Sequence, residues 1–276
     1  MEIIDGKKIS AQVKQELADE IATFVAEGKK IPHLVAVLVG NDGASETYVA
    51  SKVKACQAVG MKSSELRYGD DITEEQLLAV IDKLNDDPDV DGFIVQLPLP
   101  KHISEEKILN RINPDKDVDG FHPMSSCVAC TPKGIIDYLE FLKYDFVDKN
   151  ALIIGRSNIV GRPLAKILLD KSANVTVIHS KTSKENKEKF LKMADLIIVA
   201  VGKKYFLNEN YLKSNAYIID VGINRIDGKL YGDVIPNLNV SLQTPVPGGV
   251  GLLTRLSLLE NLLLCYKERR GKNNAI

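Results

Sequence analysis

Short, continuously apolar runs that alternate with amphipathic helical segments constrain this chain more than any other feature. Residues 34–39 read Leu-Val-Ala-Val-Leu-Val, and residues 196–201 read Leu-Ile-Ile-Val-Ala-Val. A strand wetted on one face alternates polar with apolar residues. Unbroken runs of this length instead mark strands buried on both faces, as in a parallel sheet covered by helices. Between the runs the period changes. Asp5 can cap a helix whose apolar positions Ile9, Val13, Leu17, Ile21 and Val25 recur every four residues. A second helix is predicted from about Ala44 to Val59, with Gly60 in the usual position after a helix. Ser63 to Tyr68 reads as a strand with polar alternation, and Thr73-Glu-Glu-Gln76 is a capping box opening a helix to Leu84. Pro98 and Pro100 stop the strand that begins at Phe93 and stiffen the loop beyond it.

The rhythm resumes in the second half. Asn113 to Cys130 is polar and loop-like, a natural crossing between domains, and a helix from Thr131 to Tyr144 follows with Pro132 in its first turn. Then come a strand at Ala151–Ile154, a helix at Val160–Lys171, a strand at Asn174–Ile178, a helix ending at Ala194, and strands at Leu196–Val201 and Tyr217–Val221. This order predicts an α/β fold with a doubly wound parallel sheet. Leu252 to Arg269 reads as a long amphipathic helix. At 276 residues the chain exceeds one typical domain, which favours two.

Composition excludes several partner classes. The 36 Lys and Arg nearly cancel the 37 Asp and Glu, so no broad basic field faces nucleic acid or a membrane surface. The apolar runs are far shorter than the roughly 20 residues that cross a bilayer. The N-terminal MEIIDGKKIS has no basic-then-apolar signal segment, so a cytoplasmic location is expected. Cys127 and Cys130 form a lone C-x-x-C without a second Cys/His pair, and no metal site is expected.

Several residues are placed for chemistry. Gly155-Arg156-Ser157-Asn-Ile-Val160-Gly161-Arg-Pro163 follows a buried strand and opens a helix, where main-chain N–H groups and the positive helix end can hold a pyrophosphate. Its spacing misses the strict G-x-G-x-x-G pattern; a plain tight turn is the alternative. The next strand ends in His179-Ser180-Lys181-Thr182 rather than in the carboxylate that binds an NAD ribose. Ser180 and Lys181 could hold a 2′-phosphate, favouring NADP, unless they are ordinary solvated loop residues. Tyr48 and Lys52 lie four apart on one helix and so share a face. Gln96 ends a buried strand, where an amide is costly unless it meets a polar site. Asp119 follows a turn at the domain crossing. Taken singly, each has a plain structural reading: a surface pair, a hydrogen bond to a loop, a helix cap.

Together these strings resemble the methylenetetrahydrofolate dehydrogenase/cyclohydrolase family along nearly the whole chain. They are Ser45-x-x-Tyr48-Val49-x-x-Lys52, Val95-Gln96-Leu97-Pro98-Leu99-Pro100, Lys116-Asp117-Val118-Asp119-Gly120, Gly155-Arg156-Ser157-x-x-Val160-Gly161-x-Pro163 and Pro245-Val246-Pro247-Gly248-Gly249-Val250-Gly251, in family order. The resemblance implies a folate-binding catalytic domain at 1–125 with the C-terminal helix at about 252–276. It implies a Rossmann-like NADP-binding domain at 131–251, with a cleft between the two. The implied activity is NADP-dependent oxidation of 5,10-methylenetetrahydrofolate and hydrolysis of the product.

By the same resemblance Lys52 is the catalytic lysine, Tyr48 stacks along the substrate, Gln96 hydrogen-bonds Lys52, and Asp119 holds the pterin. Val95, Leu97 and the loop Pro247, Gly248, Gly249, Val250 and Gly251 complete the folate contacts. Gly155, Arg156, Ser157, Val160, Gly161 and Ile223 contact the cofactor. A homodimer through the cofactor domain is implied. Two departures touch the site rim. Family members usually carry a longer stretch, containing Asn-x-Gly-x-Leu, between Phe121 and the Cys-Thr-Pro matching Cys130-Thr131-Pro132. Also, Leu252-Leu253 replace the usual Pro-Met. A dehydrogenase that has lost hydrolysis is therefore the alternative reading.

Overall fold

Helix α1 (Gly6–Ala26) leads into β1 (His33–Val39), α2 (Gly43–Ala58), β2 (Lys62–Tyr68), α3 (Glu74–Asp86), β3 (Gly92–Val95) and α4 (Glu105–Arg111), followed by a 3-10 turn at Pro114–Lys116. The computed structural model describes residues 6–208 and 211–273. Asp5, the expected cap of α1, lies outside the described residues, as does the side chain of Ile9. The strands form a parallel sheet in the order β2-β1-β3. Every residue of β1 is buried, and its two faces explain the unbroken apolar run. Leu34, Ala36 and Leu38 pack with Leu17, Ile21, Val49 and Leu262, while Val35, Val37 and Val39 pack with Leu77, Ile81 and Ile108. Each fully buried aliphatic side chain stabilises the fold by about 1.5–3 kcal/mol.

Local signals account for the helix ends. Asp42 caps α2 by accepting the Ser45 N–H, and the capping box of α3 is complete, with the Thr73 hydroxyl accepting from Gln76 and the Gln76 amide oxygen accepting from Thr73. Val25 departs from the predicted stripe and is 61% exposed. With 3.6 residues per turn, Phe24 takes the inward position instead and stacks against Tyr266 at 5.3 Å.

The second series comprises α5 (Cys130–Phe141), β4 (Asn150–Ile154), α6 (Gly161–Asp170), β5 (Asn174–Ile178), α7 (Lys184–Met193), β6 (Leu196–Val199), β7 (Tyr217–Asp220), β8 (Asn224–Ile226), β9 (Lys229–Tyr231), β10 (Leu242–Gln243) and α8 (Val250–Asn273). Its parallel sheet runs β10-β7-β6-β4-β5, and β8-β9 form a separate antiparallel hairpin. The order reverses direction between β4 and β6, the switch point at which doubly wound sheets bind ligands.

Chain contacts divide the molecule into two units. One holds residues 11–130 with α8 from Arg255 onward; the other holds Thr131–Thr254 with the start of α1 through Ser10. α8 enters the first unit's core through Leu258, Leu259 and Leu262. Among the described residues no helix is long and apolar enough to cross a membrane.

Candidate active site

In the first unit, α2 carries Tyr48 and Lys52 one turn apart. The Lys52 Nζ lies 3.4 Å from the Asp119 Oδ1, and both side chains are largely buried, 12% and 11% exposed. Burial weakens solvent screening, so this pair matters more than a surface ion pair would. Asp119 is held in place by the residues around it. Lys116, itself buried, donates to the carbonyls of Leu84 (2.7 Å) and Asp87 (2.6 Å) at the C-terminal end of α3. Cations suit that end of a helix, although burial pulls the Lys116 ammonium down to about 8. The carboxylate of Asp117 accepts the N–H groups of Gly120 (3.1 Å) and His122 (2.7 Å) and is pushed up to about 6 by burial. Asn261 on α8 donates to Val118 O and Val128 O, both at 2.9 Å, and so ties the two sides of the Asp119 loop together. Within the Lys116–Asp119 string, then, two charged residues build the loop and the third meets Lys52.

Gln96 sits just past β3, and its N–H still bonds Val37 O, which continues the ladder. Its side-chain nitrogen donates to Leu97 O at 2.7 Å, while its Oε1 is buried without a hydrogen-bond partner. The Gln96–Lys52 bond implied by the family resemblance is not made. The ammonium turns to a carboxylate instead, the stronger acceptor. Val95 is buried at the strand end and Leu97 is half-buried. Half-buried Arg255, which sequence reasoning did not single out, neighbours Tyr48 on α8; burial lowers its guanidinium below the ordinary range. All four cysteines are free and buried, and burial raises the Cys130 thiol beside Asp119. Among the described residues no cluster of His, Cys, Asp or Glu could hold a metal.

The second unit contains a cavity of about 590 Å³ at the carboxyl ends of β4, β5 and β6. Its wall includes Gly155, Arg156, Ser180, Thr182, Lys184, Lys187 and Lys203. Four cations and two hydroxyls around an open space suit a polyanionic nucleotide. The glycines follow from packing. Gly155 has φ +128° and a Cβ there would meet Ala200 O at 2.3 Å, while a Cβ on Gly161 would meet Gly155 O at 2.2 Å. Strand end and helix start therefore touch backbone to backbone.

Not every predicted contact lies on that wall. The Ser157 hydroxyl accepts from Val160 and Gly161 and staples the turn. Val160 is the buried N-cap residue of α6. Lys181 is exposed, outside the lining, its N–H bonded to His179 Nδ1. The cations are supplied instead by Arg156, Lys203 and, three apart on α7, Lys184 and Lys187. That i,i+3 pair was the legible signal. Pro247 to Gly251 form a tight turn into α8: Gly248 has φ +104°, Val250 is buried, and a Cβ on Gly251 would lie 3.7 Å from Ile223 Cδ1. The turn and Ile223 thus share one corner of the second unit.

A cation-lined cavity at the switch point of a doubly wound sheet places the protein among the nucleotide-dependent α/β enzymes. Residues 4–119 match the tetrahydrofolate dehydrogenase/cyclohydrolase catalytic domain, and residues 129–270 match the NAD(P)-binding domain of the same family. The chain belongs to the tetrahydrofolate dehydrogenase/cyclohydrolase family. It is 50% identical over 293 residues to the bifunctional protein FolD of Bacteroides thetaiotaomicron, covering 97% of this chain and 99% of that one. The FolD methylenetetrahydrofolate dehydrogenase/cyclohydrolase structure from Campylobacter jejuni is similar, with 43% identity, a TM-score of 0.93 and coverage of 98% and 99%. So is the Trypanosoma brucei methylenetetrahydrofolate dehydrogenase-cyclohydrolase complexed with NADP and an inhibitor, with 30% identity, a TM-score of 0.92 and coverage of 97% and 98%.

Proposed function

We propose that the protein oxidises 5,10-methylenetetrahydrofolate to 5,10-methenyltetrahydrofolate with NADP and hydrolyses that product to 10-formyltetrahydrofolate. The buried Lys52–Asp119 pair carries this reading. NADP, when bound, accepts the hydride. Arg156, Ser180, Lys184, Lys187 and Lys203, which line the cavity at the ends of β4, β5 and β6, would hold its phosphates. The protein's own work is positional and protonic. Tyr48 lies along the substrate ring system. Asp119 has acceptor capacity for more than one partner; it keeps Lys52 oriented while accepting pterin N–H groups. In hydrolysis Lys52, once its own ammonium proton has passed to solvent, takes as the neutral amine the proton released when water adds to the methenyl carbon and returns it to the ring nitrogen that departs. The unpartnered Gln96 Oε1 is a ready acceptor for a donor of the bound substrate or for Lys52 once Asp119 is engaged. Val95, Leu97 and the 247–251 turn complete the proposed folate contacts.

Loss of hydrolysis through the short 121–130 connection is the weaker reading, because that connection still delivers Asp119 to Lys52, clamped by Asn261. A product-resolved assay with NADP and NAD in parallel tests both. Native protein should yield methenyl and then formyl products with NADP, and Lys52→Met should slow hydrolysis by about 10²–10⁴-fold while NADP binding persists. Hydrolysis unchanged in the mutant would remove Lys52 from the mechanism.

A second copy of the chain docks through the NADP-binding unit in the cytoplasm. In support, β5 is a sheet edge with Val177 exposed, and Leu169 of the adjoining α6 is 58% exposed. Light scattering should give twice the chain mass; a monomer would exclude the dimer.

A further inference from the structure

Asp233 is wholly buried behind the loop that closes β6, one of the three strand-end loops lining the cation-rich cavity. Its Oδ2 accepts the main-chain N–H groups of Val201 (2.7 Å) and Gly202 (2.8 Å), and its Oδ1 accepts that of Lys203 (2.8 Å) and the side-chain amide of Asn224 (2.9 Å). One carboxylate therefore satisfies three consecutive donors at a strand end and ties them to the residue after Ile223. Bonds to an ionised acceptor are about twice as strong as neutral ones, so this loop is held more firmly than its lack of secondary structure suggests.

Glycine makes room for the carboxylate. A Cβ on Gly222 would lie 2.3 Å from both Cγ and Oδ1 of Asp233. The same device repeats behind it. Asp220 accepts from Gly222 (2.9 Å) and Asp233 (2.9 Å) through Oδ1 and from Val234 (3.0 Å) through Oδ2, and a Cβ on Gly232 would meet Asp220 Oδ2 at 1.9 Å. Val221-Gly222-Ile223-Asn224 and Gly232-Asp233-Val234 thus interlock, and the donors Asp233 gathers belong to the cavity-lining 201–203 loop and to Asn224 beside Ile223.

We propose that Asp233 is a positioning residue for the cofactor: it sets the 201–203 wall and the Ile223–Asn224 corner in the geometry that NADP requires. It takes no part in hydrolysis, whose proposed proton-handling residues Lys52 and Asp119 lie in the other unit. The inference deepens the reading of the cavity as the NADP site and rests on it. Native protein, Asp233→Asn and Gly222→Ala are compared for thermal melting, for NADP affinity by calorimetry, for KM and kcat of oxidation, and for hydrolysis of methenyltetrahydrofolate without NADP. In both variants the NADP Kd and KM should rise by about ten-fold or more, the loss of roughly one charge-assisted bond, while hydrolysis stays within about two-fold of native. A residue needed only for folding would lower both activities together. Parallel loss of hydrolysis, or an unchanged NADP KM in a folded variant, overturns the proposal; should Asp233→Asn fail to fold, Gly222→Ala decides alone. If native protein binds no NADP, the cavity reading falls and the inference with it, whereas native binding with unaffected variants sinks the inference only.

Discussion

Charged residues in the buried interior of this chain divide into the pair proposed for chemistry and those that hold backbone. Lys52 and Asp119 face each other 67 positions apart in sequence. Lys116 and Asp117, from the same short string as Asp119, spend their charge on carbonyls and amides of the loop. The second group shapes the pH response. Burial raises Asp117 and Asp220 from the ordinary 3.8 to about 6. Near pH 5 the folded state therefore keeps these protons while the unfolded chain has lost them, so each contribution to stability is present below about 4 and is lost as pH rises to about 6. The order of magnitude is about 3 kcal/mol per group. Carboxyl-carbon NMR titration should place both midpoints near 6, and midpoints near 4 would remove the effect.

Elements matter here mainly for what their ends present. α2 displays Tyr48 and Lys52, β3 ends where Gln96 begins, and β4 ends where Gly155 and Arg156 line the cation-rich cavity. α8 has the least obvious role: its Asn261, 1% exposed and flanked by Leu258, Leu262 and Cys265, reaches loop carbonyls more than 130 positions away in sequence. A polar residue on the apolar face of a helix was the legible signal; its partners were not. Asn261→Leu should destabilise the first unit by about 1–3 kcal/mol, because the Val128 carbonyl loses its amide donor and Val118 O keeps only the weaker Cys130 thiol. Both activities should fall with it, since Asp119 rides on the released loop. Urea denaturation checks the first effect and the product-resolved assay the second; a wild-type midpoint would show that Asn261 clamps nothing.

At the scale of the molecule, the two chemistries draw on different units. NADP contacts are proposed for the unit of residues 131–254, and Lys52, the proposed proton carrier, belongs to the other. A ligand that binds only the folded state stabilises it by RT ln(1 + [L]/Kd), about 2.7 kcal/mol at a hundred times Kd. Hydrogen exchange with saturating NADP should show added protection concentrated in 131–254, with the strand-end loops at 155–161 and 200–203 gaining most. Equal gains in both units would mean that the cofactor orders the whole chain and that the division of labour is wrong.

Much of the architecture was legible in sequence because its causes are local. A strand covered on both faces must be apolar throughout, so β1, β4 and β6 announce themselves; caps such as Thr73 and Gly60 act within one turn. Helix α4 and strands β8 to β10, between two and seven residues long, are too short for any period to emerge. What the chain could not state by itself is which polar groups meet. Motif order pointed to Lys52, Gln96 and Asp119. Only the packed structure decided that Lys52 turns to Asp119 and not to Gln96, that the cavity's cations are Arg156, Lys203 and the α7 pair Lys184 and Lys187 without Lys181, and that carboxylates stand where Gly222 and Gly232 have no side chain. Those choices depend on which groups share a buried, weakly screened space, and that is settled by packing between distant segments rather than by neighbours along the chain.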